Sequence, residues 1–409
     1  MKLWIDAAAV SPERVFGMSL IERHLKAARH QKIELSEVIV DVGTGSAEPS
    51  FVMEPRLKCP VRITQTSGAV GERLAAALGD EPLLVTDAAS LVDARLYGYL
   101  GSKAGSRIAA VDASNQGAVM ARIEPGDRSK IATGATTLPA ALAGMPVLTQ
   151  AEFPAFIRKL RRSTPYYLFR VDSTRAVREV ERFLFWSNYK GSTDFFTKYV
   201  YPPLVWLLVP SLARARVHPN TVTAVSIFLT LAAVPLFAGG YFLAGFLCAY
   251  GMSVLDSVDG KLARLTFTDS WIGNILDHGL DLVHPPFWYL AWALGLTGAG
   301  LTGGNLSSPA WMAGLVMLGL YILDRLILAI YPRRFHKGLH THAPMDGFVR
   351  TFISRRNINL PLFTVGYYIG LGVPTLYLIV VWQALTCLYH GGRTFWIFRV
   401  ERAVPQKPA

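Results

Sequence analysis

The chain has 409 residues, 51% of them hydrophobic, with a formal net charge of +12 and a mean hydropathy of +0.31. These values exclude a disordered chain and a small soluble domain, and they point to a membrane protein with room for more than one domain. The basic excess lies beside apolar runs and no nucleic-acid motif accompanies it, so the expected partner is a lipid bilayer and not nucleic acid.

Residues 1–186 alternate short apolar runs with helix-like stretches. Strands are predicted at LWIDA, EVIVDV, VRITQ, LLVTDA, RIAAVDA, AVMARIEP and YYLFRVD. Helices are predicted at SLIERHLKAARHQ, GERLAAALG, AASLVDARLYGYL, EFPAFIRKL and STRAVREVERFLF. The alternation predicts an α/β layered, Rossmann-like domain with a mostly parallel sheet. The segment Gln65–Leu74 reads as a plain helix entry or an anion-binding loop. Asp87 and Asp172, at strand ends, read equally as functional acids or as ordinary caps or turns. Cys59, Cys248 and Cys387 have neither metal nor redox spacing and imply no disulfide framework. No apolar core with a cleavage site opens the chain, so no signal peptide is expected.

Residues 187–217 interleave aromatic and aliphatic side chains with Lys198, Arg214 and Arg216, the composition of a helix at the membrane interface. An all-α membrane domain is expected over 218–400, followed by a tail at 401–409. Six spans are predicted, at 219–238, 240–257, 274–296, 309–331, 357–372 and 374–398, several of them short of about twenty residues. Lys261, Arg264, Arg333, Arg334, Lys337, Arg350, Arg355 and Arg356 alternate with uncharged turns. The positive-inside rule therefore puts both termini and the α/β domain on the cytosolic side. Asp324 and Arg325 interrupt the fourth span, as a structural pair or as part of a binding site.

Between the second and third of these spans lies DSVDGKLARLTFTDSWIGNILDHGLD. On helices, Asp256 and Asp259 are three apart on one face, and Asp277 and Asp281 are four apart on one face of the next. Two such helices side by side bring four carboxylates together. Solvated acids on amphipathic helices are the bland reading, and the apolar flanks leave little water for them. An all-oxygen donor set suits a hard cation, Mg2+ or Mn2+. Gly260 permits close approach of a diphosphate to the backbone, and Arg264 offers a planar cation to phosphate oxygens.

Written D-x2-D-G-x2-A-R-x8-G-x3-D-x3-D, this run resembles the signature of the CDP-alcohol phosphotransferases at every specified position. The resemblance implies six transmembrane helices around a metal site where an alcohol attacks the diphosphate of a CDP-linked substrate and CMP leaves. It implies that Asp256, Asp259, Asp277 and Asp281 hold the metals, with Asp281 also the base on the acceptor hydroxyl. Gly260, Ala263, Arg264 and Gly273 would line the CDP pocket, and Asn220, in HPNTVT, would stand at its mouth or simply cap a helix. Arg325, Arg350, Arg355 and Arg356 are candidates for a phosphate of the acceptor or of lipid. His284 reads as a satisfied interior histidine.

The first half resembles, more faintly, the nucleotidyltransferase domains fused to inositol-phosphate transferases of this type. The likeness rests on GMSLIERHLKAARH, TDAASLVDARL and VDSTRAVREVERFL. The Gly-rich phosphate loop of working members is missing, because LWIDAAAVSPERVFG runs almost directly into the helix, so a domain without nucleotidyl transfer is expected.

The expected function is transfer of a phosphatidyl or headgroup unit from a CDP-alcohol, CDP-diacylglycerol or a CDP-headgroup, to an alcohol acceptor such as a phosphorylated polyol, in lipid synthesis. Two alternatives stand beside it: a bifunctional enzyme that also makes the CDP-alcohol, and a non-catalytic membrane anchor displaying a nucleotide-binding module. The expected location is a bacterial inner membrane, and pairing through the membrane helices, as relatives commonly do, suggests a homodimer.

Overall fold

The computed structural model describes residues 1–45, 48–109, 117–157, 159–298, 307–335 and 338–402; within helices, the side chains at 272, 274, 277, 278, 280, 281, 333, 401 and 402 lie outside the description. Part of the expected strand RIAAVDA, most of the uncharged turn after residue 298, Lys337 and residues 403–409 therefore lie outside the described residues.

The N-terminal half is an α/β sheet domain. Its strands are β1 (Lys2–Asp6), β2 (Glu37–Gly43), β3 (Val61–Thr66), β4 (Leu83–Asp87), β5 (Ser90–Val92), β6 (Arg107–Ala109), β7 (Met120–Ile123), β8 (Val147–Leu148), β9 (Phe156–Ile157), β10 (Arg162–Ser163) and β11 (Leu168–Arg170). The main sheet runs β3-β2-β1-β4-β7-β6-β8; β3, β2, β1 and β4 are parallel, and β7 is antiparallel to both neighbours. Helices α1 (Leu20–His30), α2 (Val70–Ala77), α3 (Ala94–Ser102), α4 (Leu138–Ala141) and α5 (Thr174–Ser187) belong to this half. Val38, Val40 and Val42 of β2 pack into one core and Ile39 into the other, the period-two alternation of a sheet covered on both faces.

One predicted helix is shortened and another is replaced. AASLVDARLYGYL begins as β5, paired antiparallel with β11, and turns helical only after Asp93, whose carboxylate accepts the Arg95 N–H and caps α3. EFPAFIRKL is a hairpin, β9–β10, closed by Arg161 in the left-handed region at φ +54°. Tertiary anchors override its helical composition: Arg161 N–H donates to Ile157 O at 2.8 Å and Gly191 N–H to Leu160 O at 2.8 Å. Gln65–Leu74 is the plain helix entry, with the Glu72 carboxylate accepting from Ala69 N–H at 3.2 Å.

The C-terminal half is helical: α6 (Pro202–Arg214), α7 (Pro219–Ala238), α8 (Phe242–Thr266), α9 (Trp271–Leu296), α10 (Pro309–Phe335), α11 (Pro344–Val349), α12 (Arg356–Tyr368) and α13 (Gly372–Arg402). A helix stands at each of the six expected positions. Among the described residues, α7, α8, α10 and α13 are long and apolar enough to cross a membrane. Their outward faces carry exposed Phe228, Leu231, Leu247 and Leu388, while Phe237, Trp288, Trp292 and Phe363 pack edge-on and stacked inside. The expected interfacial helix is interrupted: residues 188–195 are largely irregular, one π-helical turn follows, and Pro202 and Pro203 start α6 afresh.

The two halves are fastened at the C-terminal end of α8. Val15, Phe16 and Leu20 share an apolar cluster with Val205, Val222, Val258 and Leu262. Above it, α1 caps the orphan carbonyls of α8: Arg23 Nη1 donates to Leu265 O at 3.1 Å and Arg29 Nη2 to Phe267 O. Asp269, in the turn before α9, is met by His30 at 3.1 Å and Lys159 at 3.0 Å, which together hold its carboxyl well below the usual range.

Candidate functional site

α8 carries Asp256 and Asp259 three residues apart because it continues without a break to Thr266. The two are held differently. Asp256 lines a cavity of about 410 Å³, and its Oδ2 accepts from Arg356 Nη2 at 3.2 Å. Asp259 is buried towards α7, where Thr223 Oγ1 donates to its Oδ2 at 2.6 Å. One turn on, Gly260 and Arg264 line the cavity; a Cβ at Gly260 would stand 3.3 Å from Arg264 Nη1, so glycine leaves that guanidinium its place. Asp277 and Asp281 belong to α9, and their side chains lie outside the described residues.

Asn220, Ala263 and Gly273 do not line the cavity. Asn220 and Gly273 instead mark where α7 and α9 begin against each other. Ser270 Oγ caps α9 by accepting Gly273 N–H at 3.0 Å and donates to Asn220 Oδ1 at 3.3 Å, and a Cβ on Gly273 would lie 2.8 Å from Asn220 Oδ1.

Arg325, from α10, and Arg350, Arg355 and Arg356, around the α11–α12 connection, all line the cavity. Arg161, Lys190 and Arg264 join them, so seven cationic side chains, with the buried Lys261 amine beside them, face two described carboxylates, Asp194 and Asp256. Arg350 carries the sharpest cost. Among the described residues its buried Nε has no hydrogen-bond partner, and burial together with Arg355 and Arg161 pushes its pKa well down, only partly offset by Asp194. Such a cavity is built for an anion with several oxygens.

Asp324 is fully buried and structural, paired with Arg325 at 2.6 Å and with His390 of α13 at 2.5 Å. His284 is buried, with Nε2 3.3 Å from Arg356 Nη1 and its ring against Trp288.

Several wall residues were beyond sequence reasoning. Asp194 accepts from Thr197 N–H at 2.9 Å and from Asn357 Nδ2 at 3.3 Å; its one local signal is Ser-Thr-Asp ahead of a helical turn. Buried Lys261 lines the cavity and donates from Nζ to Phe185 O at 2.8 Å beneath the Tyr189 ring, so it closes the C-terminal end of α5.

In the α/β domain, the ends of β1 and β2 share one buried cation: Arg73 pairs with Asp6 at 2.7 Å and Asp41 at 2.9 Å, all three side chains largely buried. Asp87 accepts from Ala89 N–H, Ser90 Oγ and Arg170 Nη1, the bonds of a turn cap.

Helices long and apolar enough to cross a bilayer, beside an arginine-rich cavity and the helical carboxylates of α8, define a membrane protein. Residues 216–389 match the family model for CDP-alcohol phosphatidyltransferase, and the C-terminal region carries a domain of that transferase family. The chain is 32% identical to cholinephosphotransferase 1 of Xenopus laevis over 136 residues, covering 30% of this chain and 32% of that protein. It is 27% identical to the bifunctional IPC transferase and DIPP synthase of Thermococcus kodakarensis over 143 residues, covering 32% of this chain and 33% of that one. The chain thus spans about a third of the length of the curated relatives it matches. The Mycobacterium tuberculosis phosphatidylinositol phosphate synthase, solved with CDP-DAG bound, matches at 18% identity and a TM-score of 0.37, over 48% of this chain and 94% of that one.

Proposed function

We propose that this chain is an integral membrane CDP-alcohol phosphotransferase that moves a phosphatidyl or headgroup unit from a CDP-alcohol to an acceptor hydroxyl, releasing CMP. The observation that carries the reading is the meeting of Asp256, Gly260 and Arg264 of the signature with the arginines of α10 and the α11–α12 connection around one cavity. The cationic wall suits a diphosphate on one side and a phosphorylated acceptor, at Arg325, Arg350, Arg355 and Arg356, on the other. Asn220, Ala263 and Gly273 would shape the nucleotide end.

Among the described residues no three His, Cys, Asp or Glu side chains gather as a metal site. The donor chemistry nonetheless fits Mg2+ or Mn2+: Asp256 and Asp259 offer only oxygens, and Arg356 beside Asp256 marks the demand for positive charge there. Asp256, Asp259, Asp277 and Asp281 would hold the ions. When bound, such ions neutralise the leaving diphosphate and acidify the attacking hydroxyl. Asp281 would take the hydroxyl proton, and the arginines would fix the acceptor for in-line attack.

The proposed layout has six spans over 218–400, an interfacial segment at 187–217, a cytosolic nucleotidyltransferase-like domain at 1–186, and both termini cytosolic, in a bacterial inner membrane and as a homodimer. Arg73, which already occupies the Asp6 and Asp41 carboxylates at the strand ends, supports a domain that no longer makes the CDP-alcohol. Isolated residues 1–186 releasing diphosphate from CTP with any phosphate in a broad panel would restore the bifunctional alternative. Mass spectrometry of lipids from cells with and without the chain tests the proposal: a chain-dependent phosphodiester lipid is expected, and an unchanged lipid profile counts against it.

A further inference from the structure

We infer that Arg161, delivered by the β9–β10 hairpin of the α/β domain, is a specificity-determining residue of the membrane-domain cavity, binding a phosphate group on the acceptor side. The inference rests on the transferase reading above and extends it to a domain that the signature does not include.

Three observations carry it. Among the described residues, Arg161 is the one side chain from residues 1–186 that lines the cavity. The hairpin tip that presents it is held on both flanks: Lys159 Nζ donates to Asp269 Oδ2 at 3.0 Å in the α8–α9 turn, and Gly191 packs so tightly that a Cβ there would come within 2.7 Å of Arg161 O. Its left-handed backbone, φ +54°, is unfavourable for a non-glycine residue, so the surroundings fix the tip rather than merely tolerate it.

The charge pattern supplies the third. The other arginines that join the halves end on a carboxylate, as Arg214 does on Glu181 at 2.7 Å and Arg216 on Glu22 at 3.1 Å, or cap the end of α8, as Arg23 and Arg29 do, and none of these four lines the cavity. Arg161 instead donates from Nη1 to the Ser192 carbonyl at 3.3 Å; burial and then the neighbouring Arg355 lower its pKa, and Arg161 in turn adds to the lowering at buried Arg350. Like charges brought together from two domains, with Arg350 Nε lacking a hydrogen-bond partner among the described residues, are relieved by an anion with several oxygens. The acceptor side is favoured because Arg350 and Arg355 come from the α11–α12 connection, whereas Gly260 and Arg264 of the signature lie on α8.

Thermal unfolding of the full-length protein in detergent, titrated separately with inorganic phosphate and with CDP, tests this. Wild type should be stabilised by both. Arg161→Ala should raise the phosphate concentration for half-maximal stabilisation about tenfold, the loss of one charge-assisted contact, with the CDP titration unchanged; Arg161→Lys should recover part of the loss. If the alanine variant is too unstable to titrate, Arg161→Gln, neutral and similar in length, should show the same selective loss. An unchanged phosphate titration, equal weakening towards phosphate and CDP, or a wild type indifferent to phosphate would each overturn the inference. A wild type stabilised by phosphate and not by CDP would instead sink the transferase reading, which separates the two failures.

Discussion

Replacing Arg350 with methionine should make the protein more stable and less able to bind its substrate. The guanidinium Nε is buried with no hydrogen-bond partner among the described residues, and Arg355, Arg161 and Arg325 all oppose its charge. An unsatisfied buried polar group costs about 1–3 kcal/mol, and methionine removes it while keeping most of the side-chain volume. The expected gain is of that size, a rise of a few degrees in the unfolding midpoint, roughly what 1–3 kcal/mol produces in a domain of this scale. The same variant should lose most of the stabilisation that inorganic phosphate confers on wild type. Intrinsic tryptophan fluorescence during heating, with and without phosphate, reads both effects. A variant destabilised by several kcal/mol with its phosphate response intact would refute the reasoning, because Arg350 would then be a packing strut and the cationic cavity would owe nothing to a ligand.

Other consequences follow from the α/β domain and the helix contacts. Arg73→Ala leaves Asp6 and Asp41 buried without their shared cation and should destabilise the domain by about 3–5 kcal/mol, read as faster proteolysis of residues 1–186 in the intact protein. His24 is buried between Tyr97 Oη and the Asp87 carbonyl, and burial lowers its pKa to about 4 against an ordinary 6.5. Between those values the unfolded chain binds the extra proton, so stability should fall as pH drops from about 6.5 to 4, by about 3 kcal/mol in all, and His24→Gln should flatten that slope in a pH series of unfolding midpoints. Gly366→Ala would set a Cβ 1.9 Å from Thr375 Oγ1 where α12 meets α13, so it should lower the unfolding midpoint more than Gly392→Ala, whose Cβ meets nothing within 4 Å.

The signature on α8 and α9 is legible in the sequence because its meaning lies in short-range spacing, and the six helices are legible because each is a sustained apolar run. The cavity is not local in that sense. Asp194, Arg161 and Asn357 meet there from an irregular segment, a hairpin and a helix start separated by up to 196 positions in sequence. EFPAFIRKL illustrates the difficulty: its composition suits a helix, yet the bonds that decide its shape come from Gly191 and from a left-handed Arg161, neither of which its own residues announce. Likewise, Ser90–Val92 reads as the start of a helix until β11 pairs with it. The arginines of the α11–α12 connection could be listed from the sequence as basic, but their convergence with Arg325 required the fold.

The account turns on whether the signature carboxylates perform phosphotransfer. The most direct measurement is CMP release by the purified full-length chain from CDP-diacylglycerol and a panel of CDP-alcohols, with Mg2+ or Mn2+ and phosphorylated or plain polyol acceptors, set beside Asp256→Asn and Asp277→Asn. The account predicts acceptor-dependent CMP from wild type and essentially none from either variant, with CDP-alcohol binding weakened but folding retained. Near-normal CMP release from Asp277→Asn, or binding without turnover across the whole panel in wild type, would contradict it.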